Sequence, residues 1–162
     1  MLTIRRAEES DFDAIWRIFR GVVAGGDTFT WDEEVTREQA RAFWLESEGG
    51  QTYVALLNDE VVGAYIIKPN QPGRGAHVAN AAYMVGPGRQ GLGVGRSMCE
   101  HSLAEARAAG FLAMQFNIVV STNESAVALW KKMGFAVVGT LPKVFRHRER
   151  GLVDAFVMHR FL

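Results

Sequence analysis

A chain of 162 residues that is 48% hydrophobic can bury about two thirds of its unfolded surface in one core, so residues 1–162 are expected to form one domain. Its 18 Lys and Arg balance its 18 Asp and Glu, which removes net charge as a source of attraction to nucleic acid or anionic membranes. One cysteine excludes an intramolecular disulfide and a cysteine-built zinc site, no apolar run approaches the roughly 20 residues that span a bilayer, and no signal peptide opens the chain, so a cytoplasmic protein without membrane or metal partners is expected.

Residues 2–6 read as a short strand, and Ser10-Asp11-Phe12-Asp13 as a capping box opening a helix with Phe12, Ile15, Trp16, Phe19, Val22 and Val23 on its core stripe. Gly25-Gly26 ends that helix, residues 27–32 form a polar and aromatic loop, and residues 36–47 return to helical spacing through Ala40, Phe43 and Trp44. Residues 52–57 and 61–68 are strands joined by the turn Asn58-Asp59-Glu60, and the proline- and glycine-rich loop 69–75 leads to a strand over 77–85. A helix over 92–109 stops at Gly110, and the strand over 112–119 is expected to turn Leu112, Met114, Phe116 and Ile118 to one face. Ser121-Thr122-Asn123-Glu124 caps the next helix, which carries Ala126, Val127, Trp130 and Met133, and residues 135–139 and 154–160 supply the last strands. The order, β-rich at first and then β-α-β-α-β-β, implies a mixed sheet.

The most informative stretch is Gln90-Gly91-Leu92-Gly93-Val94-Gly95-Arg96, between a strand ending at Val85 and the helix that follows. Glycines let several backbone N–H groups converge on an anion, and the helix adds its unpaired donors and partial positive charge, which suits a pyrophosphate. A P-loop needs Gly-Lys-Ser/Thr, but Gly95 is followed by Arg96-Ser97, and the strand over 112–119 lacks the acidic residue that holds a dinucleotide's ribose. Coenzyme A remains.

Gln90-Gly91-x-Gly93-x-Gly95, preceded by Val85-x-Pro87 and followed by Asn123-x-x-Ala126-x-x-x-Trp130-x-x-x-Gly134-Phe135, resembles the GNAT (Gcn5-related) N-acetyltransferases over nearly the whole chain. The resemblance implies an α/β (α+β) fold with a mixed, mostly antiparallel sheet of about seven strands and about four helices, with acetyl-CoA as cofactor. It further implies a splay beyond the strand over 77–85 whose backbone groups at Tyr83, Met84 and Val85 bind pantetheine and polarise the thioester. Cofactor contacts are thus expected from Met84, Val85, Gln90, Gly91, Gly93, Val94, Gly95, Arg96, Asn123 and Trp130. Asn123 has a second reading as a helix cap, with Ser121 and Thr122 also able to cap. Trp130 stands where the family's usual proton-donating tyrosine is found, and an indole N–H is no acid near neutral pH.

The strand over 77–85 has no carboxylate, so His77 and a water ordered by Asn80 and Tyr83 are the candidates for moving the proton. A narrower stretch, Lys68-Pro69-Asn70-x-Pro72-Gly73-Arg74-x-x-His77-Val78-x-Asn80-Ala81, resembles fungal acetyltransferases that detoxify azetidine-2-carboxylate, and implies that Asn80 recognises a small imino acid. Arg74 is a candidate partner for a carboxylate, and Phe29 and Trp31, in a loop that lines the acceptor pocket of relatives, for an apolar wall. The expected function is acetyl transfer to a small-molecule amine, an amino or imino acid such as a proline analogue. Alternatives are a protein N-terminal or lysine acetyltransferase and a catalytically silent acyl-CoA-binding module. Relatives make a homodimer the default, with Phe145, Phe156 and Phe161 offering either interface or core.

Overall fold

Residues 61–67 are apolar or small at every position, so the strand they form needs cover on both faces. The computed structural model describes all 162 residues and supplies that cover. In chain order it contains β1 (Leu2–Arg6), α1 (Phe12–Gly25), α2 (Arg37–Leu45), β2 (Gln51–Leu57), β3 (Glu60–Pro69), β4 (Val78–Val85), α3 (Val94–Ala108), β5 (Ala113–Val120), α4 (Glu124–Lys132), β6 (Ala136–His147) and β7 (Gly151–Phe161). The strands make one seven-stranded sheet of order β1-β2-β3-β4-β5-β7-β6, antiparallel except between β4 and β5. This is the mixed α/β architecture expected from the sequence.

Two apolar layers flank the sheet. On one face, Ala64, Ile66 and Met84 pack with Ile15 and Phe19 of α1 and Ala40 and Trp44 of α2. On the other, Tyr65, Ile67 and Ala81 meet Met98, Cys99 and Leu103 of α3, while Val127, Trp130 and Met133 of α4 pack against the edge of that layer. Each fully buried side chain of this size contributes about 1.5–3 kcal/mol relative to exposure, which fixes the faces on which α1 and α3 must lie.

Local details differ from the sequence reading where pairing or capping intervenes. The box at the start of α1 is built one turn earlier, because Asp11 accepts the Glu8 backbone N–H at 2.7 Å. Arg5 grips the same carboxylate through both terminal nitrogens at 2.7 and 2.9 Å, a hydrogen-bonded pairing that holds Asp11 below its usual carboxylate range. Ile18 joins the α1 core, whereas Trp16 and Val22 are only partly buried. In β5 a bulge between Phe116 and Val119 breaks the expected alternation, so Met114, Phe116 and Val119 point inward while Ile118 is exposed, and Leu112, also exposed, precedes the strand. The last two strands are far longer than predicted, and Phe145 lies in the core while Phe161 is exposed.

Candidate active site

The glycine turn adopts the conformation its composition dictates. Gly88, Gly91 and Gly93 have φ of 78°, 79° and 77°, in the left-handed region that side chains with a Cβ rarely enter. Gly93 is the N-cap of α3, and the first helical bond runs from the Ser97 N–H to its carbonyl. The N–H groups of Val94, Gly95 and Arg96 consequently make no hydrogen bond within the chain and point out of the helix end. The charged side chains nearby are already occupied, Arg96 by Glu100 at 2.9 Å and Arg89 by Glu60 at 2.7 Å. Gln90 braces the turn by accepting the Gly88 N–H at 3.0 Å. The donors that this end leaves free are thus main-chain ones.

Behind the turn, β4 and β5 part company. Their parallel pairing covers only Val78–Asn80 with Ala113–Gln115, and beyond Asn80 a gap opens toward the glycine turn. The Gly86 N–H donates to the Val62 carbonyl at 2.7 Å, which sets the phase of β4: even-numbered backbone groups face β3 and odd-numbered ones face β5. Tyr83 and Val85 therefore present backbone N–H and C=O groups to the gap. Met84 does not, because its backbone is turned to β3 and its side chain is buried against α1, contrary to the expectation from sequence.

On the α3 side, the gap is backed by aromatic rings. Trp130 of α4 lies 4.9 Å from both Tyr83 of β4 and Phe116 of β5, ring centre to ring centre, and so spans the two diverging strands. The Tyr83 hydroxyl does not enter the gap. It bonds Ser102 of α3 at 2.7 Å, and burial pushes its phenol well above the usual value. Tyr83 completes a row with Tyr53 and Tyr65, directly opposite one another on β2, β3 and β4, whose hydroxyls bond Glu105, His101 and Ser102 in turn along α3. Cys99 is buried beside this row, and its thiol is pushed up to about 12 by desolvation, so it stays protonated near neutral pH.

On the α1 side, a polar row crosses the sheet in register: Lys68 of β3, Asn80 of β4, Gln115 of β5 and His159 of β7. Asn80 stands at the vertex of the gap. Its Nδ2 donates to the Gln115 main-chain carbonyl at 3.0 Å. A carbonyl only accepts, so the amide orientation is fixed and Asn80 presents Oδ1, an acceptor, as its free atom. Gln115, Asn117 and Asn70 continue the chain of amides at 3.0 and 2.7 Å, tying the β3–β4 loop to β5. No sequence pattern within one segment signals such a row, because it depends on register between distant strands.

The other predicted residues scatter. His77 precedes β4 rather than belonging to it, is exposed, and lies by strand rise about 10 Å from Asn80 and about 26 Å from the Val85 end. Arg74 is exposed in a 3-10 turn over Gly73–Gly75 at that same far end. Phe29 and Trp31 pack 5.9 and 5.8 Å from Phe19, and Trp31 also meets Phe43 at 5.5 Å, which brings the aromatic wall beside Lys68. Asn123 is itself the N-cap of α4, its Oδ1 accepting the Ala126 N–H at 3.4 Å, while the Ser121 N–H is bound to the Asp154 carbonyl and the Thr122 hydroxyl is buried without a partner. The cap occupies the oxygen of Asn123 and leaves its Nδ2 as a donor.

A clasp joins the β6–β7 turn to the end of α1. Arg148, in the β6–β7 turn, donates its backbone N–H to the Gly26 carbonyl at 3.0 Å and its guanidinium to the Ala24 carbonyl at 2.6 Å, capping α1. A polar cavity of about 290 Å³ opens beside it, with Asp27, Asn123 and His147 in its lining.

No helix is long and apolar enough to cross a membrane, and no cluster of side chains is arranged to hold a metal ion. The sequence profile of the Acetyltransferase (GNAT) family matches residues 12–135. The N-acetyltransferase aca1 of Schizosaccharomyces pombe is 30% identical over 148 residues, covering 82% of this chain and 71% of that protein. A GCN5-related N-acetyltransferase from Kribbella flavida superposes with a TM-score of 0.95 at 45% identity, over 99% of this chain and 98% of its own. The structure of yncA from Salmonella typhimurium with its cofactor acetyl-CoA superposes with a TM-score of 0.89 at 26% identity, over 100% of this chain and 94% of its own. The unpaired donors at the α3 terminus and the opening between β4 and β5 fit that cofactor, and the chain belongs to the GNAT family of acetyl-CoA-dependent acetyltransferases.

Proposed function

We propose that the acceptor is a small-molecule amine, an amino or imino acid such as a proline analogue, and that acetyl transfer to it is direct. The observation that carries this reading is the fixed Asn80 amide, whose free Oδ1 stands at the vertex of the β4–β5 gap, where it accepts a hydrogen bond from an acceptor N–H. The names of relatives support the same class: an L-methionine sulfoximine/L-methionine sulfone acetyltransferase of Pseudomonas aeruginosa is 26% identical over 162 residues, covering 96% of this chain and 92% of that protein.

Acetyl-CoA would supply an acyl group activated as a thioester: the C–N bond to the acceptor forms, the C–S bond breaks, and the coenzyme A thiolate leaves and takes its proton from water. The Val94, Gly95 and Arg96 N–H groups bind the pyrophosphate, aided by the helix terminus. The Tyr83 and Val85 backbone N–H groups, which face the gap, would stabilise the negative charge that develops on a thioester carbonyl held there. The Asn123 Nδ2 donates to the pantetheine arm. Water carries the acceptor's proton away, because β4 has no carboxylate and the Tyr83 phenol and Cys99 thiol are held protonated. Direct transfer accords with a chain whose one thiol, Cys99, is buried and held protonated.

A thiol-release assay with acetyl-CoA tests this reading across amino acids, proline analogues, simple amines and a lysine-bearing peptide. Turnover with the small amines and none with the peptide is expected. Turnover confined to the peptide would replace the small-molecule reading with protein acetylation, and none with any amine would leave a binding module.

Trp130 acts by packing rather than as an acid. Trp130→Tyr is expected to give no faster turnover at saturating substrates and to lower stability by roughly 1–3 kcal/mol, because the smaller ring leaves Tyr83 and Phe116 underpacked. Urea unfolding and steady-state kinetics on one preparation check both halves, and a several-fold rate gain without loss of stability would show that thiolate protonation limits turnover.

A further inference from the structure

Lys68 is the one charged member of the polar row, and nothing in the chain neutralises it. It is half-buried, has no carboxylate partner, and holds its ammonium 4.7 Å from the centre of the Phe43 ring. An aromatic face attracts a cation but does not replace an anion, and a half-buried ammonium without one is poised for an anion from outside. Its position defines which anion. Lys68 pairs directly with Asn80 across β3 and β4, on the same face, so their Cβ atoms stand about 5 Å apart. It lies on the side of Asn80 away from the gap. In an α-amino or α-imino acid the carboxylate is one carbon from the nitrogen. A nitrogen held at Asn80 Oδ1 and turned to the gap therefore places its carboxylate toward β3, within reach of Lys68, with the Trp31 and Phe43 rings as the adjoining apolar wall.

We propose that Lys68 is the carboxylate anchor of the acceptor site and makes the protein selective for α-amino or α-imino acids over amines that lack the carboxyl group. This rests on the small-amine reading above, and it assigns to Lys68 the role that the sequence suggested for Arg74, whose side chain is exposed in the 3-10 turn between β3 and β4.

The test compares matched acceptors at saturating acetyl-CoA: azetidine-2-carboxylate against azetidine, and L-methionine sulfone against the same amine without its carboxyl group. Wild-type protein is expected to prefer the carboxylated member of each pair. Lys68→Met keeps the aliphatic stem on Phe43, and should raise KM for the carboxylated acceptors about ten- to a hundredfold, the range for losing a charge-assisted hydrogen bond, while leaving the bare amines unchanged. Lys68→Arg should retain most of the preference. The thermal shift given by acetyl-CoA should be the same in all three proteins, which controls for folding. Equal losses on both members of a pair, or no loss on either, would overturn the anchor. Wild-type turnover of the bare amines with no preference for their carboxylated partners overturns it too while leaving the small-amine reading intact, whereas no turnover of any amine overturns that reading itself.

Discussion

Gly93→Asp is expected to leave a folded protein that acetyl-CoA no longer stabilises. A ligand at a hundredfold its Kd adds about 2.7 kcal/mol to a protein that binds it only when folded, a rise in Tm of roughly 5–10 °C for a domain of this size. The substituted residue sits where the donors of Val94, Gly95 and Arg96 converge, so its carboxylate meets the pyrophosphate as a like charge and itself accepts those donors. Folding survives for two reasons. A Cβ at Gly93 meets no atom within 4 Å, and aspartate is among the residues that tolerate φ near 77° at a cost of about 1–2 kcal/mol. The apoprotein should therefore melt only a few degrees lower while the acetyl-CoA shift disappears. Scanning calorimetry with and without acetyl-CoA reads both quantities, and a variant that keeps the wild-type shift would move the pyrophosphate away from this turn.

Asn80→Ala should have the opposite signature. It removes the acceptor atom at the vertex and leaves the donors of the glycine turn and the gap untouched, so the acetyl-CoA shift stays and kcat/KM for the acceptor falls about ten- to a hundredfold. The Gln115 carbonyl loses its partner, which costs stability on the order of 1 kcal/mol and is separable from the kinetic effect by denaturation. Lost acetyl-CoA affinity with an unchanged acceptor KM would assign Asn80 to the cofactor side.

The sequence made the architecture legible because its periodicities are local. Core stripes at 3.6-residue spacing marked α1 and α2, and the glycine turn between a strand and a helix carries its own conformational meaning at φ near 78°. What depends on pairing was not legible. The bulge in β5 reverses Ile118 against its local pattern, and Pro142 and Lys143, the latter at φ of 52°, interrupt β6 so that its twelve residues read as a strand ending near Gly139. Whether Met84 faces the gap or β3 is a matter of hydrogen-bond phase, set by Gly86 and Val62. The cap of α4 turned on where the helix begins, at Glu124, two residues after Thr122, and so fell to Asn123. Among the site residues, the chemistry of Asn80 was apparent from its type, but its orientation and its neighbour Lys68 came only with the register of β3, β4 and β5.

The clasp at Arg148 gives the gap a mechanical character. The two parts of the sheet, β1 to β4 and β5 to β7, are joined by a parallel ladder of three residue pairs at one end and, 124 residues apart in sequence, by the fastening of Arg148 to the end of α1 at the other. Between those two rivets the strands diverge, so the opening is a slot pinned at both ends rather than a jaw free to swing. The β6–β7 turn, remote in sequence from the strands that line the slot, thus supplies one of the two fastenings that hold the halves of the molecule in place.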